Sequence, residues 1–341
     1  MIPFRRPAIP WIVTAMALVA PAVAQQSQQP RIGYVYPAGG RQGTSFQVTL
    51  GGQFLANVHD AHFSSDAIQA TVIEYSRPLS GKEALLLRDK LKELMDRNPQ
   101  AQSDPKRGKP RTSTQPAWTA EDAKAIAEIR KKLARAPNRQ GNPAIAESVA
   151  LQVTVARDAP VGPHQLRLAT PMAMTNPLVF CVGQLPEFSE PETTSDRPPL
   201  KPKQEARRQE RQNGPAQPLQ PPMELKVTLP ATVNGQIMPS EVDRYRFRAH
   251  TGQHLVIIAS AQALIPYLPD AVPGWFQATL TLYDDKGKEV AYNDDYRFHP
   301  DPVILYQVRR ECEYVIEITD AIYRGREDFV YRIMIGELPF I

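Results

Sequence analysis

The chain has 341 residues, of which 42% are hydrophobic, so it is long enough for two domains with packed cores. Its formal net charge is only +4, with acidic and basic residues interleaved, which argues against binding to nucleic acid. Two distant cysteines, Cys181 and Cys312, exclude a disulfide scaffold and leave two alternatives open, a single bridge or two separate buried thiols.

The first 24 residues have the pattern of a secretory signal peptide. An arginine pair at 5–6 precedes an apolar run at 9–20, and the sequence A-V-A at 22–24 provides a cleavage site. The run is short for a membrane span, although an uncleaved anchor is the alternative. No later segment is apolar for long enough to form a transmembrane helix. We therefore expect an exported protein, periplasmic, bound at the cell surface or secreted.

Residues 25–79 and 145–183 alternate apolar and polar side chains between glycine and proline turns, which predicts one β-sandwich made from two pieces. Residues 80–144 change to a three- and four-residue spacing of leucine and isoleucine, which is typical of amphipathic helices. Thr119 and Asp122 have the spacing of a capping box at the start of the second helix. The sequence therefore predicts a helical hairpin inserted into the first sandwich.

Two polar segments are not expected to fold into a core. Residues 184–222 are rich in proline, glutamine and charge and contain almost no large apolar side chain, so we predict a linker. The basic run at 106–111 lies between the two predicted helices. It lacks interleaved aromatic residues for base stacking, which favours a solvated loop over contact with an anionic polymer.

Residues 223–341 return to a β pattern. Tyr245 and Phe247 face one way and three arginines the other, and the apolar run at 254–260 suits a strand that is buried on both faces. Short strands separated by turn signals predict a second sandwich or jelly roll. The expected fold class is all-β, with two β-sandwiches and an α-helical hairpin inserted in the first.

Two acidic pairs, at 284–285 and 294–295, raise the question of carboxylate chemistry. The first pair is followed by Lys286-Gly287, which predicts a hairpin tip. Six strand residues then separate the pairs by roughly 20 Å. Because paired glycosidase carboxylates lie about 5 to 10 Å apart, the two pairs within this hairpin cannot form one such site.

The second acidic pair is a candidate calcium site, since hard cations bind clustered carboxylate oxygens. Its loop contains a further acid, and one more would approach if the strands are neighbours. A solvated acidic loop is the alternative. The four candidate calcium ligands are Asp294, Asp295, Asp301 and Asp243.

The order of motifs in the second half carries a family resemblance. An acid precedes the aromatic strand at 243–247, Gly252 forms a turn, and L-x-D-x-x-G at 282–287 is followed by N-D-D at 293–295. Residues 223–335 thus resemble the bacterial pre-peptidase C-terminal domain, a small β-sandwich appended to secreted peptidases and surface proteins. The chain departs from that pattern at Cys312, where the family usually has glycine.

The first half has a resemblance of its own. Residues 36–55 and 158–187 are similar to the immunoglobulin-like IPT/TIG unit that precedes such a domain in exported multi-domain proteins of planctomycete-type bacteria. This resemblance implies that 25–79 and 145–183 form an Ig-like sandwich and that 223–341 form the pre-peptidase-like one. It also implies binding or adhesion, sometimes assisted by calcium.

An aromatic insert at 264–277 is longer than the family pattern requires. Tyr267, Trp275 and Phe276 lie among prolines and a glycine, so a stiff loop could stack on sugars or grip a partner. The alternative is that Trp275 caps the core of the sandwich.

The remaining motifs do not point to catalysis. P-loop, G-x-S-x-G and H-E-x-x-H sequences are all missing, and neither histidine pair, at 59/62 or 250/254, has further ligands for zinc. We expect a non-enzymatic exported binding or adhesion module that recognises an extracellular polymer or an envelope protein. The alternatives are an accessory or regulatory subunit of a secreted hydrolase, such as a peptidase, and an enzyme without a recognisable motif.

Overall fold

The computed structural model describes residues 29–97, 119–134, 142–190, 224–239, 241–265 and 274–340. Its strands form four sheets arranged as sandwiches, and two helices lie between strands of the first sandwich. The predicted fold class is confirmed. The signal-peptide segment, the basic run at 106–111, most of the predicted linker and Tyr267 lie outside the described residues.

The first sandwich contains eight strands in two sheets. They are β1 (Arg31–Tyr36), β2 (Gly39–Arg41), β3 (Ser45–Gln53), β4 (Asp60–Phe63), β5 (Ile68–Ser76), β6 (Glu147–Val155), β7 (Gly162–Ala169) and β8 (Leu178–Gly183). One sheet has the order β1-β3-β6-β5, and the other has the order β2-β8-β7-β4. Alternate residues of β6 are buried, as the period-two pattern predicted, because only one face of its sheet packs on the core.

The helical hairpin leaves the first sandwich between β5 and β6. Its helices are α1 (Gly81–Arg97) and α2 (Ala120–Ala134), and they bury Leu94, Ile126 and Ile129 between them. The predicted capping box is present, because the Thr119 N–H donates to Asp122 Oδ2 (2.9 Å) and the Asp122 N–H donates to Thr119 Oγ1 (3.3 Å). Within the described residues, neither helix has the length and apolar character needed to cross a membrane.

The second sandwich consists of two five-stranded sheets. Its strands are β9 (Glu187–Ser189), β10 (Glu224–Lys226), β11 (Ala231–Gln236), β12 (Asp243–Ala249), β13 (His254–Ser260), β14 (Ala278–Tyr283), β15 (Glu289–Asn293), β16 (Val303–Gln307), β17 (Cys312–Asp320) and β18 (Val330–Gly336). The sheet orders are β10-β12-β17-β14-β15 and β16-β13-β18-β11-β9.

Strand β12 shows how the second core forms. Tyr245 and Phe247 are buried, and the arginines that alternate with them point outward to glutamates of neighbouring elements. These outward ion pairs are Arg244–Glu317, Arg246–Glu224 and Arg248–Glu311.

Strand β9 connects the two sandwiches. It lies within the segment predicted as a linker, yet it pairs in parallel with β11 of the second sandwich. Glu187 of β9 forms a buried ion pair with Arg332 at 2.7 Å. Leu264, Ile265 and Val330 of the second sandwich pack into the core of the first. The two sandwiches therefore share apolar contacts, and the Glu187–Arg332 pair fixes the connecting strand to the second sandwich.

The two cysteines lie in different sandwiches. Cys181 is in β8 and Cys312 is in β17, and both are free, partly buried thiols. Burial raises the pKa of the Cys181 thiol, which makes it a weaker nucleophile at neutral pH.

Candidate functional site

The first acidic pair forms the hairpin tip that the sequence predicted. The Asp284 Oδ1 atom accepts hydrogen bonds from the backbone N–H groups of Lys286 and Lys288, both at 2.9 Å. Gly287 adopts φ of 73°, which a glycine allows at low cost. Asp285 pairs with Arg310. Both carboxylates thus hold the β14–β15 turn in shape.

The structure does not bring the four predicted calcium ligands together. Asp294 and Asp295 are exposed, whereas both oxygens of Asp301 accept backbone hydrogen bonds from Gln262 (2.8 Å) and Ala263 (2.9 Å). Asp301 therefore caps the 3-10 helix Gln262–Leu264. Across the described ranges, no three His, Cys, Asp or Glu side chains are grouped so as to hold a metal.

Asp243, the fourth predicted ligand, lies in a buried network of two carboxyls and two tyrosines. Its Oδ2 accepts a hydrogen bond from the Tyr331 hydroxyl at 2.7 Å, and that hydroxyl lies 2.6 Å from the Tyr245 hydroxyl. The carboxyl of Glu190 is hydrogen-bonded to Asp243. Burial and then the Glu190 charge raise the pKa of Asp243 to about 10. The raised pKa of Asp243 favours one proton shared within the Asp243–Glu190 pair at neutral pH.

The aromatic insert is placed differently from the sequence expectation. Phe276 is only 4% exposed and stacks on Phe329, with ring centroids 5.3 Å apart, so its ring belongs to the core and not to the surface. Trp275 is partly buried. Tyr267 lies outside the described residues.

Two arginines fix the end of this insert. Arg324 donates to the Trp275 carbonyl and Arg326 to the Gly274 carbonyl, each at 2.9 Å. Their guanidinium carbons lie 5.4 Å and 4.9 Å from the centroid of the Phe329 ring. The backbone that leaves the insert is thus held against the second core.

The turn that precedes β16 presents an aromatic side chain that the sequence interpretation missed. Tyr296 and His299 exchange backbone hydrogen bonds of 2.8 and 3.0 Å, which closes a two-residue turn. The central residues, Arg297 and Phe298, have φ of 49° and 67°. The Phe298 side chain is fully exposed. Left-handed backbone costs a non-glycine residue roughly 1 kcal/mol or more, so the rest of the structure must hold this turn.

Aromatic packing supports the turn that carries Phe298. The Arg297 guanidinium lies 5.1 Å from the centroid of the Tyr296 ring. The Tyr296 ring in turn meets Phe340 edge-on, with centroids 5.4 Å apart. The Phe298 side chain is therefore presented to solvent on a turn that this packing holds in place, next in sequence to the cationic Arg297.

Further exposed apolar side chains lie close to the start of the same loop. Tyr292 of β15 is half exposed, and partial burial, followed by the charge of Asp294, raises its pKa. The Tyr323 hydroxyl is near enough to raise that pKa further. Ile322 and Tyr323 are about two-thirds exposed. We use the name aromatic surface for four exposed side chains of the 292–298 segment and of the loop after β17, which are Phe298, Tyr292, Ile322 and Tyr323.

The sequence carries only a weak signal for this surface. Phe298 stands in the stretch Y-R-F-H-P, with neither helical nor strand periodicity around it and no glycine to mark a left-handed turn. A large aromatic residue within a polar loop is the one feature that could have drawn attention to it.

Comparisons with known proteins show likeness to solved structures only. No protein family and no curated protein sequence matches the chain. Part of the chain is similar to the pre-peptidase C-terminal domain of a collagenase from Bacillus anthracis, at 12% identity and a TM-score of 0.26. That match covers 35% of this chain and 99% of the other.

Two further similarities have comparably low TM-scores. The periplasmic inhibitor of g-type lysozyme from Aeromonas hydrophila, PliG, matches at 12% identity and TM-score 0.23, covering 33% of this chain and 98% of that one. The secreted serine protease VesC from Vibrio cholerae matches at 9% identity and TM-score 0.22. That match covers 89% of this chain and 48% of VesC. These structural neighbours are secreted or periplasmic bacterial proteins.

Proposed function

We propose that this chain is an exported, non-enzymatic binding module that attaches to an extracellular polymer or an envelope protein through its aromatic surface. The observation that carries the proposal is the fully exposed Phe298 on a turn whose two central non-glycine residues are left-handed. Strained backbone persists where the surrounding structure holds it, and it is concentrated at binding sites.

The physical chemistry of Phe298 suits an anchor. Fully burying a phenylalanine side chain contributes roughly 1.5–3 kcal/mol, and because the turn is already braced, its backbone loses little conformational entropy on binding. Aromatic anchors of this kind dominate the affinity of many interfaces. Tyr292 and Tyr323 are also exposed, and their hydroxyls can donate or accept hydrogen bonds with a ligand.

Export is part of the proposal and is supported by the amino-terminal pattern of an arginine pair, an apolar run and A-V-A. N-terminal sequencing of the native protein should begin at Gln25 or within a few residues of it. An intact Met1 in a cytosolic fraction would contradict export.

Co-sedimentation with insoluble cell-wall polysaccharide and with a protein-containing envelope fraction tests the binding function. The native chain should be depleted from the supernatant by at least one of the two, whereas Phe298→Ala should stay in solution. Met172→Ala is a matched control, because Met172 is 70% exposed but lies in the first sandwich. Release of soluble fragments from the polymer by the native chain would contradict the non-enzymatic proposal.

A further inference from the structure

Most sheet edges of the described chain carry features that discourage pairing with another strand. β2, β9 and β10 have three residues each, and β4 begins with the charged Asp60. β1 and β5 contain register shifts at 32/34 and 72/74, which bend the edge. β15 begins with Glu289, and its ladder with β14 is also shifted.

Strand β16 is an edge without such protection. Its sequence V-I-L-Y-Q contains no charge and no proline, and its ladder with β13 runs without a register shift over five residue pairs. In the part of the chain that the structure describes, β16 pairs with β13 alone. Leu305, at its centre, is 56% exposed.

The hydrogen-bond pattern shows which backbone groups face outward. The Ala259 N–H donates to the Pro302 carbonyl, and the Val308 N–H donates to the Gln253 carbonyl. In an antiparallel ladder these bonds recur at every second residue, so residues 302, 304, 306 and 308 bond towards β13. The alternate residues 303, 305 and 307 therefore turn their N–H and C=O groups to the open side.

One donor on this open side already has a partner. The Val303 N–H donates to Asn293 Oδ1 at 3.2 Å, so a new strand cannot use it without displacing that side chain. The outward groups left for a new strand are the Val303 C=O and both backbone groups of Leu305 and Gln307.

We propose that β16 pairs antiparallel with β16 of a second copy of this chain, with Leu305 on the two-fold axis. The pairing would join the five-stranded sheet that ends in β16 in one copy to the same sheet of the second copy, which gives one continuous sheet. A five-residue strand pairs with its own copy in register about its central residue, and the exposed Leu305 side chain is then covered by its counterpart. Because β16 is uncharged, the copy brings no like charge opposite another.

Sedimentation equilibrium of the purified chain tests this assembly. The native chain should show a reversible monomer–dimer equilibrium. Leu305→Lys should weaken dimerisation by more than about tenfold, which corresponds to roughly 1.4 kcal/mol, because two lysines would face each other. Ile73→Lys is the matched control, since Ile73 is 52% exposed on β5, whose register shift blocks pairing, and it should dimerise like the native chain.

A second variant acts on the backbone instead of the side chain. Gln307→Pro removes an outward N–H that β13 does not use, so it should weaken the dimer while circular dichroism and the melting temperature stay close to native. A native chain that remains monomeric up to about 100 µM would overturn the proposal. It would do so even if a different protein were found to bind at β16. Undiminished dimerisation by both variants would overturn it as well.

Discussion

The carboxyl of Glu190 is hydrogen-bonded to the carboxyl of Asp243 inside the second sandwich. Glu190 directly follows β9, and Asp243 is the first residue of β12. Two carboxyls this close and this buried favour a shared proton over two charges. The chain segment that leaves the first sandwich is thus attached to the second core by a contact that depends on protonation.

This contact predicts that stability falls as the pH rises. The folded pKa of Asp243, about 10, lies far above that of an unfolded aspartate. Its stabilising contribution is fully present below pH 4 or so and is lost progressively as the pH rises towards 10. The limiting slope for one proton is roughly 1.4 kcal/mol per pH unit. Thermal melting from pH 5 to pH 9 would measure the decline.

Asp243→Asn should flatten this pH dependence, because an amide does not ionise. Asp66→Asn, an exposed acid in the first sandwich, is the control and should retain the native slope. An Asp243→Asn protein with the same slope as the native chain would show that other groups cause the decline.

Gly235→Ala should destabilise the second sandwich. An added Cβ at Gly235 would lie 2.1 Å from the hydroxyl oxygen of Tyr331, so the tyrosine would have to move away from Asp243. Overpacking of this kind typically costs about 1–3 kcal/mol. Denaturant unfolding should show this loss, whereas Gly81→Ala, which has open space around its Cβ position, should not lose stability. Equal stability of Gly235→Ala and the native chain would mean that the Tyr331 contact can relax freely.

Asp301→Ala should lower stability to the same extent with calcium and with chelator. The substitution removes both acceptors from the 3-10 helix that carries Leu264 into the first core, at a cost of roughly 1–2 kcal/mol. Asp295→Ala, at an exposed position of the same loop, should be close to native. A loss that appears only when calcium is present would instead indicate a metal site.

Local chemistry explains which features were predictable from the sequence. The β14–β15 hairpin follows from Asp284 and Gly287, and the cap of α2 follows from Thr119 and Asp122, because each is formed by residues within a few positions of one another. The alternation in β12 likewise anticipated Tyr245 inside and arginines outside.

Features that depend on contacts between distant segments were not predictable in this way. Asp243 was predicted as a calcium ligand, and no pattern in the sequence indicated its contact with Glu190. That contact forms only because β9 pairs with β11. Phe276 was expected at the surface, but Phe329 from a distant loop covers it. Phe298 was missed because its left-handed turn is held by Phe340, which is distant in sequence and packs on Tyr296, and not by a local turn residue.

The most direct test of the binding proposal is the ratio of the dissociation constants of Phe298→Ala and the native chain for the same immobilised envelope fraction. Removal of a buried aromatic anchor costs about 2 kcal/mol or more, so Phe298→Ala should bind at least roughly thirtyfold more weakly. Met172→Ala should bind as tightly as the native chain. Equal constants for Phe298→Ala and the native chain, with measurable native binding, would show that the aromatic surface is not where this protein binds.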